Sequence, residues 1–304
     1  MGLRLMVFAD LHYGGVFKDG ERCIKELTDV MEREKPDACI YLGDLCEPIP
    51  KHKHVREKLE KPGFPIYYII GNHETDAHEL DEIKEFLSLN ESYYSVDMKG
   101  YRFIFLNTCY CKKAGATYPF FENNYKDNTE FPILPDEELE WLKEKLATDK
   151  KVLVFSHHSL INEFAKRGLV NREQIRKLLE DSNTILCMNG HDHGSAYEII
   201  NGIPYFTVNS TSYVWLGSLM NSTPEKAEKY GHMRGILTYE HALYVMVEID
   251  EKEIRIKGVE GKYKDVTPEE IGLSTYRWNG VSVRPRTESC TIPLRSQSEG
   301  RFCD

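Results

Sequence analysis

Short apolar runs alternate with longer amphipathic stretches along the first part of the chain. The runs are rich in Val, Ile, Leu and Tyr and are bounded by turn or polar residues, which is typical of buried strands. They are Leu3–Ala9, Ala38–Leu42 and Ile66–Ile70. The stretches between them are charged and periodic and favour helices over Glu21–Lys35, which ends before Pro36, and around Val55–Glu60. This order predicts strand–helix–strand units, with helices packed on a sheet.

The rest of the chain adds hairpins, helices and buried strands. The hairpins pair Tyr93–Asp97 with Tyr101–Asn107, Ala196–Ile200 with Pro204–Val208, and Ala242–Asp250 with Glu253–Val259. The helices are Pro135–Ala147 and Arg172–Asp181, and the further buried strands are Lys151–Phe155 and Thr184–Met188. The predicted class is therefore α/β with mixed sheets, parallel early in the chain and antiparallel later.

Two segments show no clear period. Thr108–Leu134 is long, aromatic and rich in Asn, and loops of that length are usually functional or mobile. The polar segment 287–304 predicts a loosely docked terminus. No repeat and no Pro/Gly-rich linker divides the 304 residues. We therefore expect one domain over residues 1–286, followed by a polar tail over 287–304.

The net charge of the chain argues against one class of binding partner. The chain has 39 Lys and Arg against 49 Asp and Glu, a net charge of −10, which argues against binding duplex nucleic acid. Phosphate-containing substrates are not excluded, because bound metal ions can make the local electrostatic potential positive on an acidic protein. No apolar run approaches the roughly 20 residues of a membrane span, and no signal-like segment is recognised. The eight cysteines include no C-x-x-C pair, and we expect them to be reduced thiols. We expect a cytoplasmic protein without a membrane partner.

Five short segments that follow predicted buried strands hold groups able to bind metal ions. They are Asp10-Leu11-His12, Gly43-Asp44, Gly71-Asn72-His73-Glu74, His157-His158 and Gly190-His191-Asp192-His193. Ligands gather at the carboxyl ends of strands in α/β sheets, so five strand ends are expected to converge. Carboxylate, imidazole and amide donors suit Mn, Fe, Co, Ni and Zn. A single segment is explained by a helix cap or a turn, but chance does not explain all five in this order.

The order D-x-H, G-D, G-N-H-[D/E], H, G-H-x-H resembles that of the calcineurin-like metallophosphoesterases. The resemblance covers about Leu3 to Ser195, and its combined signature is specific. It implies a four-layer αββα sandwich of two mixed sheets, with a dinuclear metal site at the strand ends. It also implies two divalent or trivalent ions as cofactors, with Mn, Fe or Zn as candidates.

The same resemblance implies a role for each ligand. Asp10, His12 and His193 would hold the first ion, Asn72, His157 and His191 the second, and Asp44 would bridge both. A bridging carboxylate offers two oxygens and offsets the repulsion between two dications. The neutral amide at position 72 limits the anionic charge, so that the cluster still attracts a phosphate.

His73 is implied to lie near the metal pair without binding it. It would donate a hydrogen bond to a phosphoryl oxygen or protonate the leaving alkoxide, the alternative being a structural turn histidine. Many relatives have Asp or Asn where this chain has Glu47, which leaves open how His73 is oriented. Of the adjacent histidines, we expect only His157 to face the site and His158 to face away, because neighbouring strand residues alternate.

The implied activity is that of a metal-dependent phosphohydrolase that cleaves a small phosphate ester by in-line attack of a metal-bound hydroxide. Length and the G-N-H-E form look most like the cyclic-nucleotide and glycerophosphodiester phosphodiesterase branch, which favours a phosphodiester. Phosphomonoesters and nucleotide pyrophosphate linkages are alternatives. Acidity disfavours a nuclease, and the complete ligand set disfavours a non-catalytic interaction module on the same fold. The oligomeric state is not predicted.

Three residues are candidates for contact with the substrate. Tyr118 and Phe120, in the aromatic segment, are suited to stacking on a base, although a purely structural loop is equally compatible with the pattern. His232 lies in a polar segment and is a further candidate.

Overall fold

The computed structural model describes residues 2–113, 115–121 and 131–294. Its first sheet has six strands. In spatial order they are β18 (Cys290–Pro293), β15 (Glu253–Lys257), β14 (Val245–Ile249), β1 (Leu3–Phe8), β2 (Ala38–Tyr41) and β3 (Ile66–Tyr68). The strands β1, β2 and β3 are parallel, and the pairs β1–β14, β14–β15 and β15–β18 are antiparallel.

The second sheet also has six strands. In spatial order they are β10 (Ala196–Ile200), β11 (Ile203–Thr207), β9 (Thr184–Asn189), β8 (Lys151–Ser156), β5 (Tyr101–Phe105) and β4 (Tyr94–Met98). The inner strands β11, β9, β8 and β5 are parallel, and the edge strands β10 and β4 pair antiparallel to them. Both sheets are therefore mixed, as predicted. The expected change from parallel strands early in the chain to antiparallel strands later is wrong, because β5, β8, β9 and β11 run parallel.

The two sheets pack face to face over a shared apolar layer. In β1, Leu5 and Val7 point into this layer, and Met6 and Phe8 point to the other face of the sheet. Both faces are covered, so the strand reads as a continuous apolar run rather than as alternating apolar and polar residues.

Helices cover the outer face of each sheet. On the first sheet lie α1 (Gly20–Glu34), α2 (Lys53–Glu60) and α3 (Leu80–Leu87); on the second lie α4 (Asp136–Leu146) and α5 (Arg172–Glu180). The helices bury apolar side chains against the sheets, among them Leu27 of α1 and Leu142 of α4. The four-layer αββα order expected from the sequence is confirmed.

Smaller elements complete the described chain. They are β6 (Tyr110–Lys113), β7 (Ala116–Pro119), β12 (Tyr213–Trp215), β13 (Ile236–Thr238), β16 (Arg277–Trp278), β17 (Val281–Ser282), α6 (Gly217–Met220), α7 (Pro224–Tyr230) and the 3-10 turns Pro50–His52 and Gly231–Met233. The pairs β6–β7, β12–β13 and β16–β17 are antiparallel ribbons. Val214 of β12 and Leu237 of β13 belong to a separate apolar cluster that also includes Val281 of β17.

Differences from the sequence predictions lie in the segments without a clear period. Part of Thr108–Leu134 forms the β6–β7 hairpin, and residues 122–130 lie outside the described chain. Cys290–Pro293 pairs with β15, so part of the predicted tail joins the sheet, while residues 295–304 lie outside the description. The division into residues 1–286 and 287–304 stays a prediction. Among the described residues, no helix is long and apolar enough to cross a membrane.

Candidate metal centre

The strand ends bring the predicted ligands together. All seven lie one to four residues beyond the end of a strand: Asp10 and His12 after β1, Asp44 after β2, Asn72 after β3, His157 after β8, and His191 and His193 after β9. Because β1, β2 and β3 run parallel, their carboxyl ends share one edge of the first sheet. The same holds for β8 and β9 in the second sheet, and the two edges meet at the cluster.

Five of these ligands have a left-handed backbone conformation. The φ angles are 54° at Asp10, 49° at His12, 61° at Asp44, 66° at His191 and 48° at His193. Residues with a side chain rarely adopt this region, which costs roughly 1–2 kcal/mol each. The loops support one another, since the N–H of Asp10 donates to Gly43 O and that of His12 to Asp44 O, each at 3.0 Å. Strain of this kind clusters at functional sites.

The first group of ligands consists of Asp10, His12 and His193, all buried. The Nε2 atoms of the two imidazoles are 3.0 Å apart, and Asp10 Oδ1 lies 3.5 Å from His193 Nε2 and 3.9 Å from His12 Nε2. Asp10 Oδ1 has no hydrogen-bond partner within the described chain, although it is buried. A buried carboxylate oxygen without a donor is costly, and a bound cation satisfies it.

The second group consists of Asn72, His157 and His191. His157 Nε2 lies 3.0 Å from Asn72 Oδ1 and 3.2 Å from His191 Nδ1. The three donor atoms therefore converge as those of the first group do.

Asp44 lies between the two groups. Its Oδ2 is 3.3 Å from His157 Nε2 and 3.6 Å from His12 Nε2. Its Oδ1 instead accepts the backbone N–H of His73 at 2.8 Å. One oxygen thus faces both groups, which differs from the expectation that both oxygens would be available for bridging.

Backbone carbonyls orient three of the imidazoles. Each accepts the hydrogen of the ring nitrogen that points away from the cluster: Leu42 O from His157 Nδ1 (2.7 Å), Tyr213 O from His193 Nδ1 (2.8 Å) and Lys166 O from His191 Nε2 (2.9 Å). A carbonyl can only accept, so these nitrogens carry the hydrogen. The opposite nitrogens then present lone pairs to the cluster, as a metal ligand requires.

The electrostatics of the cluster favour a cation. Burial lowers the pKa of His12 and His191 well below the usual value and that of His193 to about 3, which keeps these rings neutral. Burial also lowers the pKa of His157, but the charge and hydrogen bond of Asp44, the charge of Asp10 and the hydrogen bond to Leu42 O together outweigh burial, and the net pKa rises to about 9. His157 therefore marks a point where the cluster stabilises positive charge. With its unpartnered carboxylate oxygen and its converging lone pairs, the cluster fits two divalent ions.

His73 lies beside the cluster and has an acidic partner. Its side chain is 43% exposed, and its ring centroid is 4.9 Å from that of His12. Its Nδ1 lies 3.0 Å from Asp76 Oδ2. Glu47, at the position where relatives have Asp or Asn, is exposed and lies 4.0 Å from His78 Nε2. The carboxylate that contacts His73 is therefore Asp76, three residues further along the chain, which the sequence analysis missed.

Glu74 connects two of the ligand loops. Its buried carboxylate accepts the backbone N–H groups of Asp44 at 3.0 Å and Gly71 at 2.7 Å, and also that of Leu45. It thereby ties the loop after β2 to the loop after β3. The family pattern allows Asp or Glu at this position, and the longer Glu is the only signal of this connection in the sequence.

His158 corrects one expectation. Only its neighbour was expected to face the site, but His158 is buried with its ring centroid 4.3 Å from that of His191. Donor atoms of His157, His158 and His191 lie within 4.8 Å of one another. The strand β8 ends at Ser156, so strand alternation does not extend to these residues. Thr108 Oγ1 lies 2.8 Å from His158 Nδ1 and fixes the ring.

A cleft of about 580 Å³ opens over the cluster. On the side of His158, Phe120 and Pro132 line it, with the Phe120 ring 5.9 Å from that of His158. Beside the first ligand group, Tyr213 stands 4.7 Å from the His193 ring, followed by Trp215, which is 47% exposed and has Arg167 Cζ 5.8 Å from the centre of its ring. The cleft therefore has an aromatic wall beside each group of candidate ligands.

The predicted substrate contacts lie in different places. Phe120 lines the cleft but is only 2% exposed, so it offers little surface for stacking. Tyr118 is half-exposed and is not among the residues that line the cleft, and His232 lines a neighbouring cavity. Trp215 and Arg234 also line the cleft, although no motif in the sequence indicated them.

The chain is similar to known phosphoesterases in sequence and in fold. Residues 3–195 match the family model described as calcineurin-like phosphoesterase. None of the curated protein sequences compared with the chain matches it. A solved dimetal phosphatase from Danio rerio is similar, with 14% identity, a TM-score of 0.64, and coverage of 96% of this chain and 98% of that one. GAP50, the anchor in the inner membrane complex of Plasmodium, is also similar, with 12% identity, a TM-score of 0.59, and coverage of 98% and 90%.

Proposed function

The chain belongs to the calcineurin-like phosphoesterase family, whose members hydrolyse phosphate esters, and on that premise we propose that it is a dinuclear phosphodiesterase acting on a small molecule. The proposed ligands of the two ions, for which Mn, Fe and Zn are candidates, are Asp10, His12, Asp44, Asn72, His157, His191 and His193. The observation that carries the proposal is that the donor atoms form two groups with Asp44 Oδ2 between them. When bound, two such ions activate water and neutralise phosphoryl charge.

His73 is the proposed proton donor. It lines the cleft, and its Nδ1 faces the Asp76 carboxylate, so the proton to be donated lies on Nε2. The carboxylate holds the ring in orientation and stabilises its charged form, as an acid does for a catalytic histidine elsewhere. A leaving alkoxide develops negative charge and is protonated as the bond breaks.

The shape of the cleft supports a diester. A phosphodiester carries an alcohol group on each of two ester oxygens, so a bound diester needs space on both sides of the phosphorus. Phe120 and Pro132 form one wall, and Tyr213 and Trp215 form the other. A phosphomonoester would use one side only.

Elemental analysis and a substrate panel test the proposal. After loading with Mn, we expect two ions per chain, and one or none in Asp44→Asn. The panel compares cyclic nucleotides, acyclic phosphodiesters, phosphomonoesters and dinucleotides at matched concentration, with the highest kcat/KM expected for a diester. Two ions with a preference for monoesters would contradict the diester assignment. No ion and no turnover would instead indicate a non-catalytic interaction module on this fold.

A further inference from the structure

A second cavity adjoins the cleft over the cluster. It has a volume of about 630 Å³. Val16, Arg234 and Ile236 line both cavities, so the second one continues the cleft beyond the wall that contains Trp215. A group attached to a phosphate at the cluster on that side extends towards this cavity.

The second cavity concentrates positive charge on an acidic chain. Lys18, Lys229 and Arg234 line it together with the imidazole of His232, against one carboxylate, Asp265. None of the three cations forms an ion pair with a carboxylate in the described part of the chain. Lys18 Nζ donates to a backbone carbonyl, and Lys229 Nζ lies over a tyrosine ring at 5.1 Å. These cations are therefore available to an anionic ligand.

The cavity also has an apolar portion. Tyr230, Met233, Ile236 and Val266 are among its lining residues. Apolar side chains beside cations suit an organic group with a carbon body and an anionic end better than they suit a free inorganic ion.

Arg234 is fixed at the boundary between the two cavities. It is exposed, its φ is +52°, and its guanidinium makes no hydrogen bond within the described residues. The next residue, Gly235, has φ +79°, and a Cβ there would lie 2.5 Å from Gly217 Cα. Leu216 N donates to Gly235 O at 2.7 Å, just after β12. The packing of Gly235 against Gly217 therefore fixes the position of the Arg234 backbone, although the left-handed conformation of Arg234 costs conformational energy.

We propose that the second cavity binds the alcohol part of the substrate and that this part carries a second anionic group, a carboxylate or a phosphate, recognised by Arg234 with Lys18 and Lys229. The proposal rests on the proposed phosphodiesterase function and adds a substrate class to it. The proposal explains why Arg234 has no ion pair among the described residues and is held in a left-handed conformation close to the proposed metal cluster.

Two chromogenic diesters of equal length test the proposal. They are p-nitrophenyl butyl phosphate and p-nitrophenyl 3-carboxypropyl phosphate, which share one leaving group and differ in the added carboxylate. For the Mn-loaded wild-type protein we expect kcat/KM to be about ten- to a hundredfold higher for the carboxylate ester, mainly through KM. A third diester with a terminal phosphate replacing the carboxylate distinguishes the two anions.

Variants assign the effect to the cavity. In Arg234→Gln, the ratio of kcat/KM between the carboxylate ester and the butyl ester falls about tenfold, and Arg234→Lys retains part of it. Lys229→Gln lowers the ratio less, and serves as the second variant if Arg234→Gln folds poorly by circular dichroism. The matched control is Arg33→Gln, because Arg33 is an exposed arginine in the last turn of α1, near the opposite ends of the strands. Its ratio should equal that of the wild type.

Binding provides a readout independent of turnover. Calorimetric titration with 3-carboxypropylphosphonate and with butylphosphonate should show about tenfold tighter binding of the former in the wild type and a smaller difference in Arg234→Gln. Equal kcat/KM for the two esters with equal affinity for the two phosphonates would overturn the inference and leave the phosphodiesterase proposal intact. Failure to hydrolyse either ester, with the affinity difference present, would overturn the proposed function and retain the anion site.

Discussion

The cluster at the strand ends and the cleft wall formed by β12 and β13 meet at Tyr213 but differ in almost every physical respect. The seven proposed ligands are carboxylates, imidazoles and one amide that lie one to four residues beyond a strand end, so the strand ends set their positions. Most of them are buried, and carbonyls or N–H groups fix their orientation. The wall is a two-stranded ribbon in which Trp215 and Arg234 are exposed.

This difference suits the cluster to the chemical steps and the ribbon to the recognition of the substrate. Metal binding and proton transfer require geometry within fractions of an ångström, which the buried strand ends provide. Recognition of the alcohol groups requires only complementary surface, which a ribbon at the edge of the core supplies and can vary. We therefore expect large effects on turnover from substitutions in the cluster and smaller effects on KM from substitutions in the wall.

The largest effect is expected for Asp44→Asn. The oxygen that faces both ligand groups loses its charge, so two cations are no longer compensated and at least one is lost. Because metal coordination lowers the pKa of water to about 7, we expect kcat to fall roughly 10⁴-fold or more. Metal content by elemental analysis is measured alongside. The control is Glu138→Gln, another buried carboxylate, which accepts the N–H of Asn107; near-normal turnover and two ions in Asp44→Asn would refute the bridging role.

A smaller and more selective loss is expected for His73→Asn. Both ions should stay bound, because His73 is proposed as a proton donor and not as a ligand. Esters with alkoxide leaving groups should slow by roughly 10²–10⁴-fold, while nitrophenyl esters, whose leaving group needs no proton, slow much less. Uniform slowing of both ester types would assign His73 to binding of the phosphoryl oxygens, and loss of metal would make it a ligand.

Asp76→Asn should also slow alkoxide esters more than nitrophenyl esters, but by a smaller factor than His73→Asn. The carboxylate acts only through the ring that it orients, so we expect alkoxide esters to slow about 10–100-fold. An exposed pair of this kind contributes little to stability, so the melting temperature should hardly change. Glu47→Gln is the matched control, since the same loss of charge occurs away from His73. If Glu47→Gln slowed alkoxide esters as much as Asp76→Asn does, the assignment of Asp76 as the residue that orients His73 would be wrong.

The sequence predicts the cluster well and the wall poorly, for physical reasons. Strand ends in a layered α/β fold converge, so ligand types placed after apolar runs suffice to predict that these side chains meet, whereas their division into two groups was implied only by the family resemblance. Contacts such as that between Asp76 and His73 depend on the path of a loop, which no periodicity records. The ribbon strands have three residues each, and their pairing joins segments more than twenty residues apart. The cavity behind them, for which we propose an anionic ligand, could therefore not be predicted.

The smallest effects should come from the aromatic residues on the two sides of the cleft, and they should differ in kind. Trp215 is exposed, pairs with Ile236 across the ribbon and has the Arg167 guanidinium over one face of its ring, so the other face is the one available to a base or another flat group. Trp215→Ala should raise KM for a nucleoside phosphodiester about tenfold, since stacking is worth roughly 1–3 kcal/mol per base, and should raise it less for an ester without a base. Phe120 is buried in the apolar core, so Phe120→Ala should instead destabilise the fold, by roughly 3–5 kcal/mol, measured by urea denaturation. If Phe120→Ala raised KM selectively while Trp215→Ala destabilised the fold, the assignment of recognition and support to the two sides would be reversed.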